Sequence, residues 1–349
     1  MQTHRLAALT IIMLAMLVSA CAAAPALERI YDKSLDGITT LSTSSDGTYT
    51  LAGTKDTLYC LDAQGETLWR YNTGVLYNTA ISADGETIAV SGEKVRIFEI
   101  NGTLRQARPG DYFASSVAIS SDGRIIAVSY ENDSVVLMDE MGRGAKSFET
   151  PEKLASLAIS GDGKFIIGGS DTGSLYLFTP DGRELWKYRL SGQRIMSLTI
   201  SADGGTIAAT SEDMIYLLTR NGRLLWKAAT GSTGDASLTA DGRLVAAGGD
   251  ATCLYNRDGD LLLEERGAQK AVAISGDGSH LVAAGNKGVY GYILREETLT
   301  AETTELATLA TPLSTETETT AMPTEPAQSG MPGVLLCLTA LACIIRLRA

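Results

Sequence analysis

The sequence predicts an all-β fold, and repeated turns flanked by apolar strands support this prediction. Seven Asp-Gly dipeptides follow one another at intervals of 36 to 41 residues, with Ser two residues before the Asp in six of them and Thr239 in the other. Asp-Gly between two apolar runs is a strong hairpin signal, because Gly adopts positive φ without steric cost. The turns are Asp46-Gly47, Asp84-Gly85, Asp122-Gly123, Asp162-Gly163, Asp203-Gly204, Asp241-Gly242 and Asp277-Gly278.

A second turn containing Gly follows each of the first six Asp-Gly turns by 17 to 19 residues. Each repeat therefore has the pattern of a four-stranded meander of about 40 residues, which is one blade of a β-propeller. The seventh repeat lacks its last strand, and residues 27–33 resemble the missing piece. We therefore predict a seven-bladed β-propeller over residues 27–297, with four-stranded blades and an N-terminal strand that closes the last blade.

Two repeat families share these patterns. Residues 58–71, 175–188 and 215–227 each contain a strand, a turn ending in Gly, and then Leu-Trp, and they resemble the pyrroloquinoline-quinone-like propeller repeat. The pattern Ser-x-Asp-Gly-x-x-Ile-Ala resembles WD40-type repeats. This resemblance extends over residues 27–294 and implies the fold rather than an activity. Trp69, Trp186 and Trp226 occupy equivalent positions, where we expect packing between blades rather than a ligand cage.

The N-terminus has the pattern of a signal peptide over residues 1–21, with a short basic start and an apolar run over residues 6–18. The last residues of this segment, Leu-Val-Ser-Ala-Cys, also resemble a prokaryotic lipobox, in which the cysteine is lipid-modified. Two outcomes stay open: lipidation at Cys21, or ordinary cleavage nearby. Both place the protein outside the cytoplasm.

The C-terminal part changes composition abruptly. Residues 298–330 contain 11 Thr and 5 Glu with no Lys or Arg, so a disordered stalk is expected. Residues 331–349 contain Pro-Gly, a short apolar stretch and terminal arginines, similar to the Pro-Gly-Phe sorting signals that archaeosortases process, with Val334 in place of Phe. The alternative is a plain tail anchor. Either reading places the protein at the outer face of the cytoplasmic membrane or on the cell surface, tethered through an end of the chain.

Charge and cysteine content restrict the partners. The formal net charge is −12, so nucleic acid is a poor partner, as is an anionic lipid surface. Only Cys60 and Cys253 lie in the predicted body, in repeats that should not be neighbours, so no disulfide is expected between them. We expect a monomer.

The sequence offers little catalytic chemistry. It contains two histidines, His4 and His280, and no Gly-x-Ser-x-Gly, phosphate loop or Cys-x-x-Cys. The Asp residues of the repeats are expected to form turns rather than calcium sites. We therefore predict no enzyme activity, no cofactor and no metal.

Binding residues are expected near the loops that connect blades or strands. The candidates are Tyr77, Arg108, Tyr112, Phe113, Tyr130, Glu131, Arg194 and Met196. Asn101 and Asn132 begin Asn-x-Ser/Thr sequons and could carry N-glycans.

Three functions compete. The first is a non-enzymatic surface module or scaffold that binds an envelope protein or a glycan. The second is an envelope assembly factor similar to the outer-membrane lipoprotein propellers. The third, implied by the quinone-repeat resemblance, is a quinoprotein dehydrogenase with a metal-bound quinone; that family usually has eight blades.

Overall fold

The computed structural model describes residues 26–295, apart from Thr233 and Asn286. The predicted signal peptide with Cys21, the stalk over residues 298–330 and the segment over residues 331–349 lie outside these residues. Within the described part, no helix has the length and apolar character needed to cross a membrane.

Every regular element in the described residues is a β-strand, as the alternating apolar pattern predicts. The strands are β1 (Ala26–Lys33), β2 (Thr40–Thr43), β3 (Tyr49–Gly53), β4 (Thr57–Asp62), β5 (Thr67–Asn72), β6 (Leu76–Ile81), β7 (Thr87–Gly92), β8 (Lys94–Glu99), β9 (Leu104–Pro109), β10 (Ala114–Ile119), β11 (Ile126–Tyr130), β12 (Ser134–Met138), β13 (Gly144–Glu149), β14 (Leu154–Ile159), β15 (Ile166–Ser170), β16 (Ser174–Phe178), β17 (Glu184–Arg189), β18 (Ser197–Ile200), β19 (Thr206–Ser211), β20 (Met214–Thr219), β21 (Leu224–Ala229), β22 (Ala236–Leu238), β23 (Leu244–Ala247), β24 (Gly249–Asn256), β25 (Leu261–Ile274), β26 (His280–Gly285) and β27 (Gly288–Arg295).

The prediction of seven four-stranded blades is wrong. Five sheets have four strands and form blades: β2–β5, β6–β9, β10–β13, β14–β17 and β18–β21. The remaining strands form one seven-stranded sheet in the order β1-β27-β26-β25-β24-β23-β22. The sheets are antiparallel meanders, as the hairpin turns predict.

The cause of the long sheet is β25, a single strand of 14 residues. Its first part pairs with β24 and its second part with β26, and Gln269 is aligned with a residue on each side. Elsewhere a turn containing Gly or Pro separates one sheet from the next, as at Gly74 and Pro151. Within β25, Gly267 does not break the strand, so hydrogen bonding continues across the position where a new blade was expected.

The two ends of the described chain pair with each other. Strand β1 lies antiparallel to β27, with Ala26 opposite Arg295 and Lys33 opposite Val289. This is the pairing that the N-terminal resemblance predicts, although it occurs within the seven-stranded sheet. Because β1 covers the edge of β27, that edge is not left open for another chain.

The Asp-Gly turns share one hydrogen-bond pattern. In the first turn the Ser44 hydroxyl donates to Asp46 (2.7 Å) and accepts from the Tyr49 N–H (3.0 Å). The corresponding Ser or Thr makes the same two bonds in the other six turns. The glycines have φ between 67° and 78°, a region that favours Gly. The Asp residues therefore form turns, as the sequence predicts.

The three tryptophans join neighbouring sheets. Their indole N–H groups donate to backbone carbonyls in the next sheet's second turn: Trp69 to Ile100 (2.6 Å), Trp186 to Arg220 (2.7 Å) and Trp226 to Arg257 (3.0 Å). The expected packing role is thus confirmed. Aliphatic and aromatic clusters fill the rest of each space between sheets; one of them contains Leu157, Tyr176 and Val135, each less than 5% exposed.

Candidate functional site

A cavity of about 1020 Å³ lies at the centre of the ring of sheets. Its wall is formed by the innermost strands β2, β6, β10, β14, β18 and β22 and by the second part of β25. A cavity of this size can hold a small molecule or a short polymer segment. Each innermost strand begins at one end of the cavity and finishes at the other. The residues at the starts of these strands therefore line one end, and the residues at their finishes line the other.

One end lies at the Asp-Gly turns and is built from small residues and backbone hydrogen bonds. Six backbone hydrogen bonds of 2.8 to 3.0 Å connect neighbouring turns here. Named as N–H donor and carbonyl acceptor, the pairs are Ser45 to Ala83, Ala83 to Ser121, Ser121 to Gly161, Ala202 to Ala240, Ala240 to Gly276 and Asp277 to Ser45. These bonds link consecutive turns and connect the seven-stranded sheet to the first blade. We call this the turn end; its polar backbone groups are largely used within the fold.

The opposite end, which we call the mouth, carries larger and charged side chains where the innermost strands begin. The cavity-lining residues of the mouth are Tyr77, Glu131, Lys153, Arg194, Met196, Asp235 and Lys270, and Phe113 borders the mouth beside Tyr77. Five of these side chains carry formal charges, so this end can hold a polar ligand in a way that the turn end cannot.

Aromatic side chains occupy one side of the mouth. Tyr77 in β6 is 47% exposed, and Phe113, just before β10, is 40% exposed. Their rings lie 6.1 Å apart at 55°, a favourable tilted arrangement. The Phe113 carbonyl accepts a hydrogen bond from the Glu131 N–H at 3.1 Å, which fixes the loop beside the cavity. The pair therefore offers apolar surface to a partner.

Charged side chains occupy the other side. Lys153 forms an ion pair with Glu131 at 3.1 Å. Arg194 and Lys270 are exposed and form no ion pair with another described residue. Asp235 lies between them, since β18, β22 and β25 are consecutive innermost strands. Its backbone N–H donates to the Lys270 carbonyl at 2.7 Å.

Asp235 is the most perturbed carboxyl of the mouth. Burial raises its pKa to about 7, because the charged form loses hydration. Part of its surface still faces the cavity, so it can meet solvent or a ligand there. Its side chain makes no hydrogen bond with another described residue that would offset the lost hydration.

Of the binding candidates from sequence, the structure brings Tyr77, Phe113, Glu131, Arg194 and Met196 to the mouth. The others lie beside it or are used in the fold, as follows. Tyr112 is 53% exposed on the loop before β10, and Tyr130 is half-buried, with its pKa raised by burial. Arg108 donates to the Gly142 carbonyl of the next blade at 3.1 Å.

The two sequons lie at opposite faces of the ring. Asn101 is in the turn between β8 and β9, on the same face as the Asp-Gly turns. Asn132 is in the turn between β11 and β12, on the face of the mouth, since successive turns of a meander alternate. Both asparagines are exposed.

Sequence reasoning missed Lys153, Asp235 and Lys270. A usable signal existed, because residues six to nine positions before the Asp of an Asp-Gly turn begin the innermost strand. Position within the repeat would have found all three, whereas residue type alone did not.

The described residues do not fit a metal-held quinone. They contain no group of three or more His, Cys, Asp or Glu residues that could hold a metal ion. His280 bonds to the Ser279 hydroxyl at 2.7 Å, beside its turn and away from the mouth. Cys60 and Cys253 are free thiols.

Comparison with known proteins agrees with this architecture. Residues 171–292 match the PQQ_2 family model, described as outer membrane protein assembly factor BamB. A solved structure, the β-propeller domain of Cps50 (Swd1) from Myceliophteria thermophila, is similar with a TM-score of 0.67 and 13% identity, over 77% of this chain and 100% of that chain.

The described chain is a β-propeller, and its residues 171–292 resemble PQQ-like repeats. At 13% identity the likeness to the solved propeller shows the fold alone. No curated protein matches this sequence.

Proposed function

We propose that this propeller is a non-enzymatic binding protein that holds another envelope protein at its mouth. The observation that carries the proposal is the exposed Tyr77–Phe113 pair beside an open cavity. Exposed aromatic side chains next to a cavity are typical of interfaces, where a few aromatic and Arg residues supply most of the binding energy.

Arg194 supports the same proposal. It is exposed at the mouth and has no ion pair among the described residues, so its guanidinium is available to a partner. The signal-peptide and sorting-signal patterns in the sequence support a location outside the cytoplasm, at the membrane face or the cell surface. We propose that the protein acts there as a monomer and without a cofactor.

The test is photo-crosslinking of the full-length protein to its own cell envelope, followed by capture. Tyr77→Ala/Phe113→Ala is expected to reduce the captured partner by roughly tenfold or more, because hot-spot aromatics each contribute about 2 kcal/mol. The matched control is Leu185→Ala on an outer strand, since Leu185 is also 40% exposed but far from the cavity. Equal capture by both variants contradicts the proposal, and a captured species that resists protease but not glycosidase indicates a glycan instead.

A second candidate is an envelope assembly factor, favoured by the match of residues 171–292 to the model described as outer membrane protein assembly factor BamB. In that case, loss of this chain should lower the amount of correctly assembled envelope proteins. The parent gene should restore them, and Tyr77→Ala/Phe113→Ala should not. An unchanged envelope proteome after loss of the chain contradicts this candidate while leaving simple binding possible.

A further inference from the structure

The charged side of the mouth is assembled from separate repeats. Lys153, Arg194, Asp235 and Lys270 lie at the beginnings of four consecutive innermost strand segments, in β14, β18, β22 and β25 or just before them. They therefore form one arc of the mouth, although the first and the last are 117 positions apart in the sequence. We call this set the cationic arc.

The arc is positive in a strongly acidic protein. It holds three cations, and only Lys153 is paired, with Glu131 at 3.1 Å. Arg194 and Lys270 face the cavity without an ion pair among the described residues, on either side of Asp235. A chain of net charge −12 repels most anions, so unpaired cations concentrated at a cavity define where an anion can bind.

An apolar side chain lies within the same arc. Met196, two residues after Arg194, lines the cavity and is 43% exposed. Exposed Met side chains suit adaptable contacts with apolar side chains of a protein partner. An acidic polysaccharide carries anions but offers little apolar surface to cover Met196, so this residue favours a peptide.

We propose that the cationic arc binds an acidic peptide segment of a protein partner, with carboxylates on Arg194 and Lys270 and an apolar side chain against Met196. Arg suits this role because its guanidinium binds a carboxylate through two parallel hydrogen bonds. The proposal rests on the proposed function, since it assigns the chemistry of the partner at the same mouth.

The test measures binding of a short fluorescein-labelled peptide of alternating Glu and Leu to the full-length protein, with a matched Lys and Leu peptide. At about 0.15 M salt, Arg194→Gln/Lys270→Gln is expected to weaken binding of the acidic peptide by roughly tenfold or more. The control Arg124→Gln/Lys164→Gln removes the same charge from two Asp-Gly turns on the opposite face. It should change affinity by less than about twofold, because exposed charges there act only through screened long-range attraction.

Several results overturn the proposal: no binding of the acidic peptide, equal weakening by both double variants, equal binding of the Lys and Leu peptide, or binding of an oligouronate but not of the peptide. Failure here is distinguishable from failure of the proposed function. Suppose that Tyr77→Ala/Phe113→Ala abolishes partner capture while Arg194→Gln/Lys270→Gln leaves both capture and peptide binding intact. The proposed binding function then stands, and the proposal that the partner binds through an acidic segment is wrong.

Discussion

The two ends of the cavity are built by the same repeats, but equivalent positions carry the same residue types at one end and different types at the other. At the turn end, each repeat places a Ser or Thr, an Asp and a Gly at equivalent positions, and these side chains bond within their own turn. At the mouth, equivalent positions hold different residues, among them Tyr77, Lys153, Arg194, Asp235 and Lys270. The repeated residues build the fold, and the residues that differ between repeats line the mouth, where we propose that a partner binds.

The first way to test this contrast is to remove one repeated hydroxyl. Ser201 is 1% exposed, donates to Asp203 at 2.6 Å and accepts from the Thr206 N–H at 3.0 Å. Ser201→Ala loses both bonds and leaves a buried N–H unpaired, so it should lower the free energy of unfolding by about 2–3 kcal/mol in urea titrations.

The control for this change comes from the protein itself. Thr239 makes the same two bonds in its own turn, so Ser201→Thr should retain most of the stability. Acidic-peptide binding at the mouth should be unchanged in both variants under native conditions. The contrast fails if Ser201→Thr is as unstable as Ser201→Ala.

The second test concerns the mouth, where a residue suited to binding should not be optimal for folding. Burial raises the pKa of Asp235 to about 7, so folding favours its protonated form. The stability of the parent should therefore fall as pH rises from about 4, near the pKa of an unfolded Asp, through about 7. Asp235→Asn should be more stable than the parent by about 1–3 kcal/mol at pH 8, with little difference at pH 4.

Urea unfolding at several pH values measures this effect, with Asp258→Asn in an exposed turn as the control. The control should change stability by less than about 0.5 kcal/mol. A variant at Asp235 that is no more stable than the parent at pH 8 contradicts the burial argument. Protonation of Asp235 also removes a negative charge from the cationic arc, whose other members are Lys153, Arg194 and Lys270. Glu131, the ion-pair partner of Lys153, lies beside the arc, and Tyr77 lies across the mouth from it. The acidic peptide should therefore bind more tightly at pH 6 than at pH 8. This pH dependence of the affinity should be smaller in Asp235→Asn, because Asn does not titrate.

The smallest effect is expected from Asp46 at the turn end, whose pKa shifts in the opposite direction to that of Asp235. Hydrogen bonds from the Thr48 hydroxyl, the Thr48 N–H and the Ser44 hydroxyl lower the pKa of Asp46 to about 2. Its contribution is present above about pH 4 and is lost as pH falls through about 2. Because Asp46 is exposed, Asp46→Asn should cost only a few tenths of a kcal/mol at pH 7, and nothing at pH 2, in urea unfolding. A larger loss at pH 2 than at pH 7 contradicts this assignment.

Much of the fold was predictable because its signals are local. Asp-Gly turns, alternating strands and the similarity of the N-terminal segment to a fourth strand place nearly all the strands and the pairing of β1 with β27. The continuous β25 was not predictable by this route, since the chain around Gly267 shows only the absence of a strong turn signal. Hydrogen bonds on both sides of Gln269 decide that strand, and they depend on tertiary structure.

The candidate site was predictable only in part. Tyr77, Phe113 and Arg194 stand out by residue type near the connections between blades, whereas Lys153 and Lys270 resemble ordinary surface lysines until the ring brings them to one cavity. The raised pKa of Asp235 depends on its burial, which no local sequence pattern shows.

The pairing of β1 with β27 also places both ends of the described chain on the same face of the propeller. Ala26 and Arg295 lie side by side, at the ends of strands that reach the face of the Asp-Gly turns, because Ile293 is aligned with His280 just after the last of those turns. Any segment attached to either end of the body therefore starts from that face. That face is opposite the mouth, so neither end of the described chain lies at the cavity opening that carries Arg194 and Lys270.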